Sequence, residues 1–147
     1  MEVVIEKARP EHRDAIFGLL ETANMHYIPS AEMPELTYDN YYVALGEGRV
    51  VGFCGFKILS ETEAKTELMV VDPNLRGHGI GFRLQKHRMD IMRARGIKTL
   101  TTNSDLPATI QWYKTHFGYR EVGRLKKVHE FGCPGIDHWT TLQVELG

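Results

Sequence analysis

The stretch that most constrains the fold of this chain is residues 68–81, which read Leu-Met-Val-Val-Asp-Pro-Asn-Leu-Arg-Gly-His-Gly-Ile-Gly. Apolar and β-branched residues typical of a strand lead into a turn with Gly77, Gly79 and Gly81, and an amphipathic helix is predicted over residues 80–95. The first N–H groups of a helix lack partners, and the aligned peptide dipoles make that end positive. Because glycine lets the backbone curl closely around an anion, the segment predicts a phosphate or pyrophosphate site.

Three common phosphate-binding turns do not fit this spacing. A Rossmann dinucleotide site needs Gly-x-Gly-x-x-Gly, whereas here the third glycine comes one residue earlier. A P-loop continues with Gly-Lys-Ser/Thr, and here Phe82 follows Gly81. A kinase glycine loop lies between two strands, while this one leads into a helix. A turn with a purely structural role remains the alternative, and Arg76, the preceding strand and the following helix speak against it.

The rest of the chain predicts an α/β protein with a meander of strands in its middle. The predicted strands cover residues 3–8, 41–45, 50–59, 65–71, 97–102, 119–128 and 138–146. The predicted helices open at Pro10, cover residues 80–95 up to a Gly96 cap, and cover residues 107–117. His87 falls on the apolar stripe of the second helix with Ile80, Leu84 and Ile91. The crossover through this helix should place its flanking strands parallel and adjacent.

The length and the net charge of the chain limit the classes of function that it can have. The chain has 147 residues and a net charge of −1, so we expect one domain over residues 1–147 and no binding to nucleic acid. No apolar stretch is long enough to span a bilayer, and the N-terminus does not have the pattern of a secretory signal. Cys54 and Cys133 are far apart in the sequence and fit free thiols in a reducing cytoplasm. We therefore expect a cytoplasmic protein without membrane attachment.

Two segments together resemble the GNAT superfamily of N-acetyltransferases. Their hallmark, Arg/Gln-x-x-Gly-x-Gly/Ala between a strand and a helix, is matched by Arg76-Gly77-His78-Gly79-Ile80-Gly81. Later, Thr109-Ile110-Gln111-Trp112-Tyr113-Lys114 followed by Phe117-Gly118-Tyr119 is similar to the family's Ala-x-x-x-Tyr segment and the strand after it. The resemblance spans nearly the whole chain, because the order of strands and helices also fits.

The resemblance implies the fold and the donor site. It implies a GNAT-like α/β (mixed α+β) fold with a central twisted, mixed but mostly antiparallel sheet of about seven strands flanked by helices. The strand before the glycine turn would splay from its neighbour at a bulge and pair with the pantetheine arm of acetyl-CoA, with a Val70 N–H polarising the thioester carbonyl. The residues implied in cofactor binding are Met69, Val70, Val71, Arg76, Gly77, His78, Gly79, Ile80, Gly81, Asn103 and Lys114. Asn103 is included because Leu106 occupies a position where the family often has a cofactor-contacting Asn.

The resemblance also implies two catalytic residues. Tyr113 matches the family's proton donor to the departing thiolate, although it also lies on the apolar stripe of its helix. Glu67 alternates with Met69 and Val71 along the strand and is the expected general base, with a solvent-facing carboxylate as the other interpretation. His26, Tyr27 and Glu63 are weaker candidates for the base.

The resemblance implies an acetyl-CoA-dependent N-acetyltransferase acting on a primary amine of a small molecule or a peptide by direct attack. It also implies acceptor walls in residues 25–40 and 131–138, because loops at those positions flank the cleft in the family. The last hairpin is a candidate for a homodimer interface or an acceptor wall. Two rivals remain: a non-catalytic CoA-binding regulatory module of the same fold, and a dinucleotide-dependent enzyme, which the glycine spacing disfavours. His129, Cys133, Asp137 and His138 suit zinc by type but not by spacing, so we expect no metal.

Overall fold

The computed structural model describes residues 2–25 and 36–147. This part of the chain forms seven β-strands and three α-helices. The strands are β1 (Val3–Lys7), β2 (Tyr41–Gly46), β3 (Arg49–Ile58), β4 (Glu63–Val71), β5 (Thr99–Ser104), β6 (Arg120–Lys126) and β7 (His138–Glu145). The helices are α1 (Arg13–Thr22), α2 (Ile80–Ala94) and α3 (Pro107–Phe117). The predicted order of elements is therefore confirmed.

All seven strands belong to one sheet with the order β1-β2-β3-β4-β5-β7-β6. Strands β4 and β5 are parallel, and every other neighbouring pair is antiparallel. The single parallel pair is the one joined through α2, because a crossover helix returns the chain to the edge from which it left. The predicted mixed, mostly antiparallel sheet flanked by helices is confirmed.

Local turn chemistry explains several element ends. The β2–β3 hairpin turns at Glu47 and Gly48, both with positive φ (54° and 77°), as the right-handed twist of a two-residue hairpin requires. Helix α2 is followed by Gly96 in the left-handed conformation, with a φ of 83°. The N–H of Ile97 then donates to Met92 O at 3.0 Å, so this residue still belongs to the helix exit. Strand β5 consequently begins two residues later than predicted, at Thr99.

The sheet carries helices on both faces. Val43 and Phe53 point to the face covered by α1, where they form a cluster with Ile16. The residues next to them, Ala44 and Cys54, point to the other face and pack against Ile80, Leu84 and their neighbours on α2. This alternation follows from the two-residue period of a strand, and it places the start of α2 beside the end of β4.

A β-bulge interrupts the pairing of β3 with β4. The register passes from Cys54 opposite Met69 to Phe56 opposite Thr66, so β4 places Glu67 and Leu68 opposite the single residue Gly55. On its other side, β4 pairs with β5 only over three residues at its start, ending with Lys65 opposite Thr101. Beyond that point the free edge of β4 faces a cleft.

Gly55 is a position where the structure demands glycine. A Cβ built there would lie 2.4 Å from the ring of Tyr41, which is completely buried. We expect Gly55→Ala to lower the free energy of unfolding by about 2 kcal/mol or more, because the core must shift to admit the methyl group. Gly18→Ala is the matched control. Gly18 is exposed on α1, and no atom lies within 4 Å of a Cβ built there. This change should raise the free energy of unfolding by about 0.5–1 kcal/mol.

Urea unfolding of the two variants beside the wild type measures both effects. Equal stabilities of Gly55→Ala and the wild type would contradict the tight contact between Gly55 and Tyr41.

Candidate active site

The cleft lies where β4 and β5 diverge, and it consists of two adjoining pockets. The first, the turn pocket, has a volume of about 690 Å³ and contains the glycine turn at the start of α2. The second, the bulge pocket, has a volume of about 470 Å³ and contains the β4 bulge and the buried end of Tyr113. Both pockets are lined by Thr22, Ala23, Met69, Val70, Arg76, Leu106 and Thr109. A long ligand could therefore extend from one pocket into the other.

The glycine turn presents open backbone to the turn pocket. Gly77 and Gly79 have positive φ values of 86° and 74°, and no atom lies within 4 Å of a Cβ built on either. The N–H of Arg83 donates to Gly79 O at 3.1 Å, so the N–H groups of the three preceding residues come before the first turn of helix bonding. The positive end of the α2 dipole thus meets a concave, glycine-lined surface, as an anion site requires.

Asp72 holds the chain in position just before this turn. Its Oδ1 accepts a hydrogen bond from the N–H of Asn74 at 2.9 Å, and its Oδ2 accepts one from Nη1 of Arg49 at 3.1 Å. These two donors keep the pKa of Asp72 below its usual range. The Asp-Pro pair therefore fixes the direction in which the chain leaves β4 for the glycine turn.

Glu67 lies in the bulge and lines the bulge pocket. Its side chain is half-buried, and this loss of solvent raises the pKa of Glu67. Lys65 and Lys57 act against burial and moderate that increase. The carboxyl group therefore holds a proton more readily than an exposed glutamate does.

Tyr113 is 4% exposed and lines the same pocket. Its ring packs against Trp112 and Tyr119 with centroid distances of 5.0 and 5.1 Å, so the apolar interpretation also holds. Its hydroxyl oxygen accepts a long hydrogen bond from Nη2 of Arg88 at 3.4 Å. One side chain thus belongs to the core and also lines the cleft.

Arg88, a buried neighbour of Tyr113, is a residue beside the site that sequence analysis missed. The buried stripe of α2 contains Ile80, Leu84, Arg88 and Met92, spaced by four residues, instead of the predicted stripe through His87. His87 is half-buried and packs edge-on against Tyr42 at 4.6 Å. The spacing of Ile80 and Leu84 already pointed to position 88, but a stripe defined by apolar residues does not include an arginine.

The far wall of the bulge pocket is fixed by an ion pair. Nζ of Lys127 donates to Oδ2 of Asp105 at 2.9 Å and to the carbonyl of Phe131 at 2.7 Å. Both side chains are nearly buried, with exposures of 5% and 11%. The same carboxylate oxygen accepts from the N–H of Cys133 at 2.6 Å. The loop between β6 and β7 is therefore tied to the end of β5.

Asn24 connects this loop to the end of α1. Its Nδ2 donates to the carbonyl of Gly132 at 3.2 Å, and its backbone carbonyl accepts from the N–H of Gly132 at 3.3 Å. Met25, Gly132 and Cys133 line the bulge pocket, in the two regions expected to form the acceptor walls. Residues 26–35 of the first region lie outside the described residues, and so do the candidate bases His26 and Tyr27. Residues 36–40 of that region are described and line neither pocket of the cleft.

The structure brings most of the expected site residues together. The turn pocket is lined by Met69, Val70, Val71, Arg76, Gly77, Gly79, Ile80 and Gly81. The bulge pocket is lined by Glu67, Asn103 and Tyr113. Asn103 also accepts a hydrogen bond from the Thr141 hydroxyl at 2.7 Å.

Some expected residues do not line the cleft. His78 and Lys114 are absent from the lining of both pockets, and Nζ of Lys114 instead lies 3.3 Å from Oε2 of Glu121. Glu63, the weaker candidate for the base, is exposed at the opposite end of β4. Phe82 and Trp112 line the turn pocket without having been expected, because their apolar character marks them only as packing residues.

Two residues of the zinc-like cluster contact each other, and a third stacks on an aromatic ring. Asp137 Oδ1 lies 3.1 Å from Nδ1 of His138, and this contact keeps the pKa of Asp137 low. His129 stacks on Phe131 with a centroid distance of 5.0 Å. Within residues 2–25 and 36–147, no three His, Cys, Asp or Glu side chains converge in a way that could hold a metal ion. No helix in these same ranges has the length and apolar character needed to cross a membrane.

Comparison with known proteins agrees with this geometry. Residues 6–119 match the acetyltransferase (GNAT) family. The chain is 30% identical over 117 residues to the N-alpha-acetyltransferase RimI of Mycobacterium tuberculosis, which covers 76% of this chain and 72% of the relative.

Two solved structures share the fold. Ard1 of Thermoplasma volcanium matches with a TM-score of 0.81 and 20% identity over 97% of both chains. The yncA protein of Salmonella typhimurium, solved with its cofactor acetyl-CoA, matches with a TM-score of 0.75 and 18% identity, over 100% of this chain and 95% of its own. The family match over residues 6–119 and the RimI relative show that the chain belongs to the GNAT family of acetyltransferases and is an acyltransferase enzyme that transfers an acetyl group to an amine.

Proposed function

We propose that the enzyme binds acetyl-CoA in the turn pocket and transfers the acetyl group to a primary amine that enters through the bulge pocket. The observation that carries this proposal is the junction of the two pockets at Met69 and Val70, on the free edge of β4. A donor and an acceptor approaching from opposite sides would meet there. Direct attack in a ternary complex follows, because no covalent enzyme intermediate is needed when both substrates reach one point.

The donor half uses backbone groups. N–H groups of residues 77–81 would hold the pyrophosphate at the positive end of α2, with Arg76 adding charge at the mouth of the pocket. The pantetheine arm would pair with residues 69–71, which have no strand partner on the β5 side. The Val70 N–H would then donate to the thioester carbonyl oxygen, on which negative charge develops during attack. A fixed donor at such an oxygen contributes about 3 kcal/mol to lowering the barrier.

The acid and base are Tyr113 and Glu67, two of the titratable groups that line the bulge pocket. Glu67 takes a proton from the attacking ammonium group, directly or through water, and the amine nitrogen forms its bond to the carbonyl carbon. The carbon–sulfur bond then breaks as the carbonyl re-forms, the sulfur receives the proton of the Tyr113 hydroxyl, and the nitrogen releases its second proton to solvent to give the neutral amide. A raised pKa favours Glu67 as a base near neutral pH, since it holds the abstracted proton better than an ordinary glutamate does.

The acceptor is a primary amine of a peptide or a small molecule. The N-alpha-acetyltransferase RimI relative supports a peptide α-amine. The acceptor amine would meet the carboxyl group of Glu67 in the bulge pocket, since the carboxylate of Asp105 is already paired with Lys127. Arg76, shared with the turn pocket, is the one basic residue lining it among the described residues. The unpaired Cys54 and Cys133 fit the cytoplasm as the proposed location.

The first experiment tests the donor site by calorimetry with acetyl-CoA. Gly79→Glu places a carboxylate where the pyrophosphate would lie, and we expect it to weaken binding by roughly 100-fold or more, as losing a few charge-assisted hydrogen bonds would. Gly96→Glu is the matched control, because Gly96 has the same left-handed conformation (φ 83°) at the other end of α2 and does not line the turn pocket.

The control separates backbone strain from loss of the site. Both variants should lose similar stability in thermal unfolding, whereas only Gly79→Glu should lose affinity. No binding by the wild type, or equal weakening by both variants, would contradict the proposed donor site.

The second experiment tests Glu67 through the pH profile of acetyl transfer. The base must be unprotonated, so the acidic limb of kcat/KM should lie above the pKa of an ordinary glutamate, in the direction of the raised pKa of Glu67. Lys65 lowers that pKa, so Lys65→Met should move the limb to still higher pH. Glu67→Gln should lower kcat/KM by about 100-fold or more and remove the limb.

Glu63→Gln is the matched control on the same strand, because Glu63 is exposed and does not line the cleft. Glu63→Gln should leave both kcat/KM and the position of its acidic limb unchanged. A shift of the limb to lower pH in Lys65→Met, or an unchanged profile in Glu67→Gln, would remove Glu67 from the mechanism.

A further inference from the structure

Arg88 is the largest completely buried side chain of the described residues, with an exposure of 0%. Its Nη1 donates to the carbonyl of Gly55 at 3.0 Å. Its Nη2 donates to Oε1 of Gln85 and to the hydroxyl oxygen of Tyr113, the latter at 3.4 Å, and lies 3.5 Å from Sδ of Met69. All these partners are uncharged.

A buried cation without a carboxylate is an unusual arrangement in a protein core. In the described part of the chain no Asp or Glu pairs with Arg88, and its Nε has no hydrogen-bond partner there. Burying an unpaired charge is unfavourable, and packing alone would be served better by leucine or methionine at this position. The charge therefore calls for an explanation other than packing.

The groups around Arg88 include three that can become negative. Burial by itself would lower the pKa of Arg88, but Tyr113, Cys54 and Tyr119 raise it on balance, so the guanidinium stays charged. Burial raises the pKa of the Cys54 thiol to about 11 and raises that of Tyr119 strongly, so both stay neutral. Of the three, Tyr113 is the one that lines the cleft.

We propose that Arg88 is a positioning residue for acetyl transfer, which holds the Tyr113 hydroxyl and stabilises the phenolate left after Tyr113 protonates the CoA thiolate. This role rests on the proposed function. The step is balanced: the carbon–sulfur bond breaks, the sulfur takes the phenolic proton, and the negative charge moves from sulfur to the Tyr113 oxygen beside the guanidinium. The phenolate regains a proton from solvent when CoA leaves.

The neighbours of Arg88 keep its charge directed at Tyr113. Gln85 receives one guanidinium hydrogen bond with Oε1 while its Nε2 donates to the Tyr119 hydroxyl at 2.9 Å. Gly55, the other anchor, is the residue opposite the β4 bulge. The same guanidinium therefore connects β3, opposite the bulge of the strand that would hold the thioester, with the hydroxyl that would protonate its sulfur.

The test is a double-mutant cycle of Arg88→Met and Tyr113→Phe. Methionine fills much of the space without a charge, so the fold should be kept, which thermal unfolding checks. We expect Tyr113→Phe to lower kcat by about 100-fold or more and Arg88→Met by about 10-fold or more, with the KM for acetyl-CoA nearly unchanged in both. The double variant should be no slower than Tyr113→Phe alone, because Arg88 acts through the hydroxyl.

A role limited to the fold gives a different pattern. It would lower the rate by the same factor in the wild-type and Tyr113→Phe backgrounds, or change stability and KM together. Arg88→Lys is the second variant: it keeps a charge and should recover part of the rate lost in Arg88→Met. The proposal would be overturned if the rate losses of Arg88→Met and Tyr113→Phe multiplied in the double variant. Equal rates for Arg88→Lys and Arg88→Met would also overturn it.

A measurement without catalysis separates this inference from the proposed function. In arginine-labelled protein, the Arg88 guanidinium should give a slowly exchanging NMR signal that shifts in Tyr113→Phe. A wild type that releases no CoA would overturn the proposed function and the catalytic role of Arg88 together. A wild type that transfers acetyl groups, combined with an additive cycle or an unshifted signal, would overturn only the role of Arg88.

Discussion

The early end of the β4–β5 pairing is the constraint on which the rest of the molecule depends. Parallel strands that stayed in register would close the sheet and leave no cleft, but here pairing ends at Lys65 and Thr101. The bulge opposite Gly55 bends β4 at that point, as an extra residue in one strand does. Since only the turn of residues 72–79 separates β4 from α2, the same bend sets the place of the glycine turn, so the free strand edge and the positive helix end face one cleft.

Features of the fold that depend on residues close together in the sequence could be predicted, and features that depend on residues far apart could not. The glycine turn, the Gly96 cap and the start of α3 at Pro107 depend on neighbouring residues, and their sequence predictions agree with the structure. The parallel crossover followed from the handedness and reach of a strand–helix–strand unit. The bulge and the splay were expected only through resemblance to a family, because no local pattern in residues 65–71 marks an extra residue.

Contacts between distant residues could not be predicted from the sequence. Arg88 sits where the α2 stripe meets Tyr113, 25 residues away, and Lys127 meets Asp105, 22 residues away. Each of these buried charges is stabilised by a partner from a distant part of the chain, and the periodicity of a single helix or strand does not reveal that partner. His78 and Lys114 show the reverse case, since a sequence pattern selected them and their side chains do not line the cleft.

A pocket that supplies both a general acid and a general base needs two groups whose surroundings favour opposite protonation states. Burial raises the pKa of Glu67, while Lys65 and Lys57 moderate that increase. Tyr113 faces the opposite demand, because a group that gives up a proton must tolerate the negative charge that remains. The fold meets this demand from beneath the sheet, where Arg88 can approach the phenol without entering the cleft.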